Sequence, residues 1–150
     1  MVIYLGADHG GFNLKETLKE YLKGKGYEVV DCGAATYDES DDYPDFAAAV
    51  ALRVKSDPER GRGVLICKSG AGMDMAANRF RHVRAFIGFS ADQVFDARHD
   101  DDANVLCLAA SFISEPDARQ MVDAFLQTPF EREERFLRRL DKIAQIEDQQ

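Results

Sequence analysis

The segment Val64-Leu65-Ile66-Cys67-Lys68-Ser69-Gly70-Ala71-Gly72-Met73 decides the fold of this chain. Its apolar start predicts a short buried strand, and the glycines after Cys67 predict a tight turn into a helix. Similar apolar runs at residues 2–5, 27–30, 83–87 and 105–108 alternate with helical patterns. This alternation is typical of βαβ units. We therefore predict a three-layer α/β fold with a doubly wound, Rossmann-like, five-stranded parallel sheet.

Capping residues predict where several helices begin. Asn13, followed three residues later by Glu16, favours a capping box at the start of the first helix. Pro44 and Pro116 fit the first turns of two further helices, since proline is favoured at that position. Ser90 is predicted to cap the helix that follows the fourth strand.

The composition is that of an ordinary globular protein, and we predict one domain over residues 1–150. The formal net charge of −8 argues against a nucleic-acid-binding protein, which usually has a basic face. No apolar run approaches the ~18 residues of a membrane span, and the start lacks the pattern of a signal peptide. The three cysteines are odd in number and include no C-x-x-C pair, which favours reduced thiols in a cytoplasmic protein over disulfides or a zinc site.

Three segments carry the reactive side chains: residues 6–11, 67–72 and 98–104. In parallel α/β sheets, ligands bind beyond the carboxyl ends of the strands. We therefore expect all three segments to lie at that edge, although the third directly precedes the fifth strand.

Cys67 is the candidate base. It ends a buried strand just before a helix, where backbone amides favour a thiolate. The glycines that follow allow several N–H groups to point at one anionic oxygen. A thiolate beside such amides suits proton abstraction next to a carbonyl, although a buried structural cysteine remains the alternative. Cys32 and Cys107 lack this context and are interpreted as structural.

Asp8 and His9 follow the first strand and are candidates to bind sugar hydroxyls and a phosphate, respectively. The alternative is that Asp8 only caps a turn. Their loop is not G-x-G-x-x-G, so no dinucleotide site is predicted. In the last helix Arg135 and Arg139 share a face and could fork onto a phosphate, or could form a solvated face with neighbouring glutamates.

Several motifs, in order along residues 2–146, resemble one known family. They are GADHGGFNLK (6–15), DYP (42–44), CKSGAGM (67–73) with ANR (77–79) and RA (84–85), ANVL (103–106) and RFLRRLDKI (135–143). Together they resemble the type B ribose-5-phosphate isomerases, a family that includes galactose-6-phosphate isomerase. The resemblance implies aldose–ketose isomerisation of a sugar phosphate, most simply ribose 5-phosphate to ribulose 5-phosphate, through a cis-enediolate. It also implies no metal, no organic cofactor, and a homodimer or dimer of dimers whose sites are shared between subunits.

The same resemblance assigns roles to individual residues. Cys67 would move the proton between C1 and C2, while Ser69 and the amides of Gly70, Ala71, Gly72 and Met73 would hold the enediolate oxygen. Asp8 would bind sugar hydroxyls and assist ring opening. The remaining contacts would come from Tyr43 in the sugar pocket and from His9, Arg135 and Arg139 at the phosphate.

The chain also departs from the family pattern. Asp100 stands where the family has its ring-opening histidine, and Asp101 replaces a substrate-binding asparagine. His99 lies one position early and could serve as the ring-opening group only if the loop shifts by one residue. Lys68 replaces a glycine and offers an additional charge for substrate binding, whereas Ser111 replaces a phosphate-binding arginine.

These departures leave the choice of substrate open. An unperturbed aspartic acid is a weak general acid at pH 7, so ring opening is expected to suffer by a factor of ~10²–10⁴. A four-carbon, mostly open-chain sugar phosphate would not need that step, and a six-carbon one is a further alternative. A non-catalytic sugar-phosphate-binding subunit, or an isomerase of an unphosphorylated sugar, would explain the same changes. The retained Cys67 and its amides argue against the former, and Arg135 and Arg139 argue against the latter.

Overall fold

The computed structural model of the protein describes residues 1–149 and confirms the predicted α/β fold. Its strands form one parallel sheet in the order β2-β1-β3-β5-β4. The strands are β1 (Val2–Ala7), β2 (Glu28–Asp31), β3 (Gly61–Cys67), β4 (Ala85–Ile87) and β5 (Val105–Ala109). The helices are α1 (Phe12–Gly24), α2 (Tyr43–Ser56), α3 (Ala71–Ala77), α4 (Ala91–Asp101), α5 (Glu115–Gln127) and α6 (Glu134–Asp148).

Two hydrophobic cores, one on each face of the sheet, give the predicted three layers. Successive side chains of a strand point to opposite faces, so Ile66 packs in the core with α1 and α5, whereas Cys67 packs in the core with α2 and α3. Each core brings the apolar side chains of its helices against alternate strand residues. The second core therefore fixes the face on which the Cys67 side chain lies.

Three of the four predicted helix starts are confirmed. Pro44 and Pro116 lie in the first turns of α2 and α5, and the Ser90 side chain accepts a hydrogen bond from the Gln93 N–H at 3.2 Å. The capping box at Asn13 is wrong. Gly11 already has a helical backbone and α1 begins at Phe12, so Asn13 lies inside the first turn and makes no cap.

The sheet has two edges that matter for function. Ala7, Cys67 and Ala109 lie at the ends of β1, β3 and β5, which defines the carboxyl edge. The segment 98–104 lies at the opposite, amino edge, because α4 runs back along the sheet and the chain then enters β5 at Val105. The expectation that this segment joins residues 6–11 and 67–72 is therefore wrong. The length of β5, about 13 Å for four residue steps, separates the two edges.

Among residues 1–149, the helices are all too short or too polar to cross a lipid bilayer.

Candidate active site

The turn after β3 has the geometry predicted for it. Cys67 is 5% exposed, and its Sγ accepts a hydrogen bond from the Gly70 N–H at 3.1 Å. Gly70 has a φ of 77°, a left-handed conformation that favours glycine, and it leads directly into α3 at Ala71. Ser69 is exposed beside this turn. The amide contact stabilises negative charge on sulfur, which suits a base.

The loop after β1 packs directly against this turn. A Cβ on Gly11 would lie 2.4 Å from the Ile66 carbonyl oxygen, and one on Gly10 would lie 3.1 Å from the Lys68 nitrogen. This close approach requires glycine and brings Asp8 and Cys67 to neighbouring strand ends. Both candidate residues therefore belong to one surface at the carboxyl edge.

Asp8 is 7% exposed, and its Oδ1 accepts a hydrogen bond from the Gly11 N–H at 3.2 Å. The turn-capping role that was the alternative for Asp8 is therefore present. Burial raises the pKa of Asp8, against a smaller lowering effect of the positive charge of His9. A carboxyl group that is easier to protonate is suited to general acid catalysis as well as to hydroxyl binding.

His9 is held by Asp41, a residue that the sequence analysis did not single out. The Oδ1 of Asp41 lies 2.7 Å from His9 Nδ1 and also accepts the His9 backbone N–H at 2.9 Å. The hydrogen bond to Asp41 raises the pKa of His9, because it favours the charged imidazolium. A more readily protonated His9 suits an anionic ligand.

The ligand atoms of Asp8, His9 and Asp41 lie within 4.8 Å of one another, which is close enough for a shared cation. Two of these atoms are already joined by the hydrogen bond between His9 and Asp41. The other carboxylate oxygen of Asp41, Oδ2, is buried without a hydrogen-bond partner among residues 1–149.

Tyr43 covers the glycine-rich turn. A Cβ on Gly72 would lie 2.7 Å from the Tyr43 ring, so the ring rests on the backbone of the turn. Tyr43 is the first residue of α2 and is 37% exposed. Its position beside the turn agrees with the expected role in lining a sugar pocket. Met73 is fully buried below, in the core with α2.

Lys68 and Ser111 are direct neighbours across β3 and β5. The Ser111 N–H donates to the Lys68 carbonyl oxygen at 3.1 Å, and both residues are exposed. The two departures from the family pattern therefore lie side by side, and a lysine stands next to the position from which an arginine is missing.

A second group of predicted site residues lies at the amino edge. The His99 Nδ1 lies 2.7 Å from the Asp100 Oδ1, and the His99 ring stacks on Phe95 with the ring centroids 5.2 Å apart. Burial and, to a smaller extent, the charge of Asp100 raise the pKa of Asp101. The hydrogen bond between His99 and Asp100 makes these two residues one pair at the end of α4.

The start of α6 completes this second group. Phe136 is 2% exposed and meets the His99 ring edge-on. The Arg135 and Arg139 guanidinium groups lie over the Phe136 ring, at 4.5 and 5.8 Å from its centroid. Arg135 also pairs with Glu133 at 2.7 Å, so part of the solvated-face alternative is present too.

The predicted site residues thus form two groups within one chain. The carboxyl edge holds the candidate base Cys67, the glycine-rich turn, Asp8, His9 and Tyr43, while the amino edge holds the His99–Asp100 pair with Asp101, Arg135 and Arg139. Asp41 was not predicted, because its only signal in the sequence is its place in an aspartate-rich loop. Cys107 is fully buried and its pKa is raised well above that of a free thiol by desolvation, which agrees with its structural interpretation.

Comparison with known proteins gives matches over almost the whole chain. A family model described as Ribose/Galactose Isomerase matches residues 3–143. A probable ribose-5-phosphate isomerase B of Mycoplasma genitalium is 43% identical over 97% of this chain and 95% of its own length. Ribose-5-phosphate isomerase B of Mycobacterium tuberculosis is 38% identical over 98% of this chain and 90% of its own.

Solved structures are equally similar. The crystal structure of ribose-5-phosphate isomerase B from Mycoplasma genitalium with bound ribulose-5-phosphate has a TM-score of 0.95 at 42% identity, covering 99% of this chain and 97% of that one. The Clostridium thermocellum ribose-5-phosphate isomerase B has a TM-score of 0.94 at 39% identity, covering 99% of each chain.

Proposed function

Because this chain belongs to the ribose/galactose isomerase family, we propose that it is a sugar-phosphate isomerase that interconverts ribose 5-phosphate and ribulose 5-phosphate. The observation that carries the proposal is the Cys67 turn, in which a buried thiol at a strand end accepts an amide hydrogen bond. The similarity to ribose-5-phosphate isomerases B extends over almost the whole chain, which supports ribose 5-phosphate as the substrate.

In the proposed reaction the Cys67 thiolate takes the proton from C2 of the open-chain aldose. The C–H electron pair forms the C1–C2 double bond, and the carbonyl electrons move to O1. The thiol then returns its proton to C1 while the hydroxyl proton of O2 moves to O1, which leaves the ketone at C2. The Gly70 amide is already bound to sulfur, so the amides of Ala71, Gly72 and Met73 are the donors proposed for the enediolate oxygen.

We propose that the complete site is shared by two copies of this chain, in a homodimer or a dimer of dimers. The ring-opening pair at His99 and the arginines of α6 lie at the opposite edge of the sheet from Cys67, so they reach a substrate there only from a second chain. Large apolar side chains are exposed near both edges, with Phe89 at 74% and Phe112 at 77% at the carboxyl edge and Phe95 at 46% on α4. We propose that these side chains contribute to the contact between the two copies.

We also propose that the enzyme works in the cytoplasm, because Cys32, Cys67 and Cys107 are all free thiols.

The test of the activity is incubation with ribose 5-phosphate in D₂O, with NMR detection of ketose and of deuterium at C1 and C2. Cys67→Ala removes the base, so we expect turnover to fall by about 10²–10⁴-fold. Cys32→Ala is the matched control, because it removes a half-buried thiol of the same chain that has no proposed role. Full activity of the Cys67→Ala variant would overturn the mechanism.

The shared site has its own test. Cys67→Ala and Arg139→Gln each damage a different edge, so co-expression of the two variants leaves one intact site in every mixed dimer. We expect about a quarter of the wild-type activity to return if subunits pair at random. Activity that does not return, or a monomer by light scattering at micromolar concentration, would contradict a shared site.

A second candidate substrate is a four-carbon aldose phosphate, which is mostly open-chain. The observation that favours it is Asp100 at the family's ring-opening position. The same NMR assay decides between the two, because faster Cys67-dependent turnover of the four-carbon substrate would replace ribose 5-phosphate in the proposal. Binding of both sugar phosphates without deuterium exchange would support the non-catalytic alternative.

A further inference from the structure

A cavity of about 590 Å³ opens at the amino edge of the sheet. Its walls come from the turn before β3, from β3 itself at Arg62, from the last turns of α4 and from residues 126–132. Among residues 1–149, none of the predicted site residues of either edge lines this cavity. The cavity is therefore distinct from the proposed isomerase site, and its volume is within the ~300–1,000 Å³ typical of small-ligand pockets.

Three arginines line this cavity: Arg62, Arg98 and Arg132. Arg98 is only 3% exposed, and among residues 1–149 its Nε has no hydrogen-bond partner. Arg62 donates from Nη1 to the Gly61 carbonyl oxygen at 2.8 Å, but its Nε is likewise buried without a partner in the described part of the chain. Buried polar groups usually have partners, so the two unpaired Nε atoms leave these guanidinium groups incompletely hydrogen-bonded.

The carboxylates of the cavity do not balance these arginines. Asp102 is shared, since it accepts from Arg98 at 2.9 Å and from Arg84 at 2.7 Å. Glu59 is exposed at the rim. Arg62 and Arg132 have no carboxylate partner within the described range 1–149. Desolvation, followed by the positive charge of Arg98, lowers the pKa of Arg62, and the negative charge of Asp102 offsets this lowering only in part.

We propose that this cavity is a second ligand site, which binds the phosphate group of a small metabolite between Arg62, Arg98 and Arg132. Arginine forks match the geometry of phosphate oxygens, and a dianion supplies the two charges that Arg62 and Arg132 lack. The volume leaves room for an organic group beside the phosphate, and Leu126 and Phe130 provide an apolar wall for it.

The test is NMR of the arginine side-chain Nε–Hε signals during titration with inorganic phosphate and, separately, with glycerol 3-phosphate. We expect the Arg62 and Arg98 signals to move and saturate. Tighter binding of glycerol 3-phosphate would identify a phosphate ester as the ligand, whereas equal binding would identify free phosphate. Signals of Arg62 and Arg98 that stay in place up to about 10 mM of both probes would overturn the proposal.

Variants of the cavity arginines test whether the probe binds at this site. Arg132→Gln changes an exposed side chain, so we expect the fold to stay intact. Arg62 is half-buried, and Arg62→Met keeps an unbranched aliphatic side chain at that position. Each removes a charge-assisted contact, so we expect the affinity for the probe to fall about tenfold or more. Arg60→Gln is the matched control, because Arg60 is exposed two residues from Arg62 and outside the lining. Since isomerase activity is not the readout, this proposal and the proposed function fail independently.

Discussion

Lys68 is expected to supply the charge that the family arginine missing at Ser111 would contribute to the phosphate site. Its carbonyl oxygen accepts the Ser111 N–H at 3.1 Å, so its exposed side chain starts beside the position where the family has an arginine. A hydrogen bond from a charged group contributes roughly 1.5–3 kcal/mol, and each 1.4 kcal/mol is a tenfold change in affinity. We therefore expect Lys68→Gln to raise the KM for ribose 5-phosphate by about 10- to 100-fold.

The kcat should change little, because a phosphate contact is made equally in the ground state and the transition state. Steady-state kinetics with Lys55→Gln as control separates this local effect from a change in net charge, since Lys55 is exposed in the last turn of α2. Lys68→Gly combined with Ser111→Arg moves the cation to the neighbouring strand and should restore a low KM. A KM for Lys68→Gln equal to that of Lys55→Gln would refute the reasoning.

Three further changes have expected outcomes. Gly72→Ala places a methyl group 2.7 Å from the Tyr43 ring, so we expect thermal unfolding to show a loss of about 1–3 kcal/mol, recovered when Tyr43→Ala is added. Asp41→Asn removes the negative charge from the hydrogen bond that raises the pKa of His9. The pH above which KM increases should then move to a lower value, and an unchanged KM–pH profile would contradict this role. Lys15→Met removes a fully buried ammonium that lies 2.6 Å from the carboxylates of Glu16 and Asp31. Urea denaturation should therefore show a decrease of about 3 kcal/mol in the free energy of unfolding at pH 7. The decrease should become smaller in acid, because the carboxylates are then protonated.

The sheet and the Cys67 turn could be predicted because they depend on local pattern. Apolar runs mark the buried strands, and glycine marks the positive φ that Gly70 adopts. The edge on which residues 98–104 lie was predicted wrongly, since a reactive loop was assigned by its composition. Connectivity would have corrected it, because a segment that enters a parallel strand lies at the amino edge by definition.

Contacts between distant segments could not be read from the sequence. Asp41 and His9 are 32 residues apart, and their hydrogen bond depends on how the loop before α2 folds back over the end of β1. The three arginines of the second cavity, Arg62, Arg98 and Arg132, come from a strand, a helix and a loop. Each alone is an unremarkable charged residue, and only the folded chain brings them to one cavity.

Most departures from the family pattern lie in two neighbouring pairs, and we expect this arrangement to make them compatible with activity. Ser111, in place of an arginine, is hydrogen-bonded to Lys68, in place of a glycine, and Asp100, in place of a histidine, is hydrogen-bonded to His99. In each pair the chemical group missing at one position is available from its neighbour. Changing only one member of a pair back to the family residue is therefore not expected to improve activity. Ser111→Arg would place an arginine beside Lys68, and like charges repel. We therefore propose that the ring-opening group is the His99–Asp100 pair, whose imidazole and carboxylate are joined by a hydrogen bond of 2.7 Å.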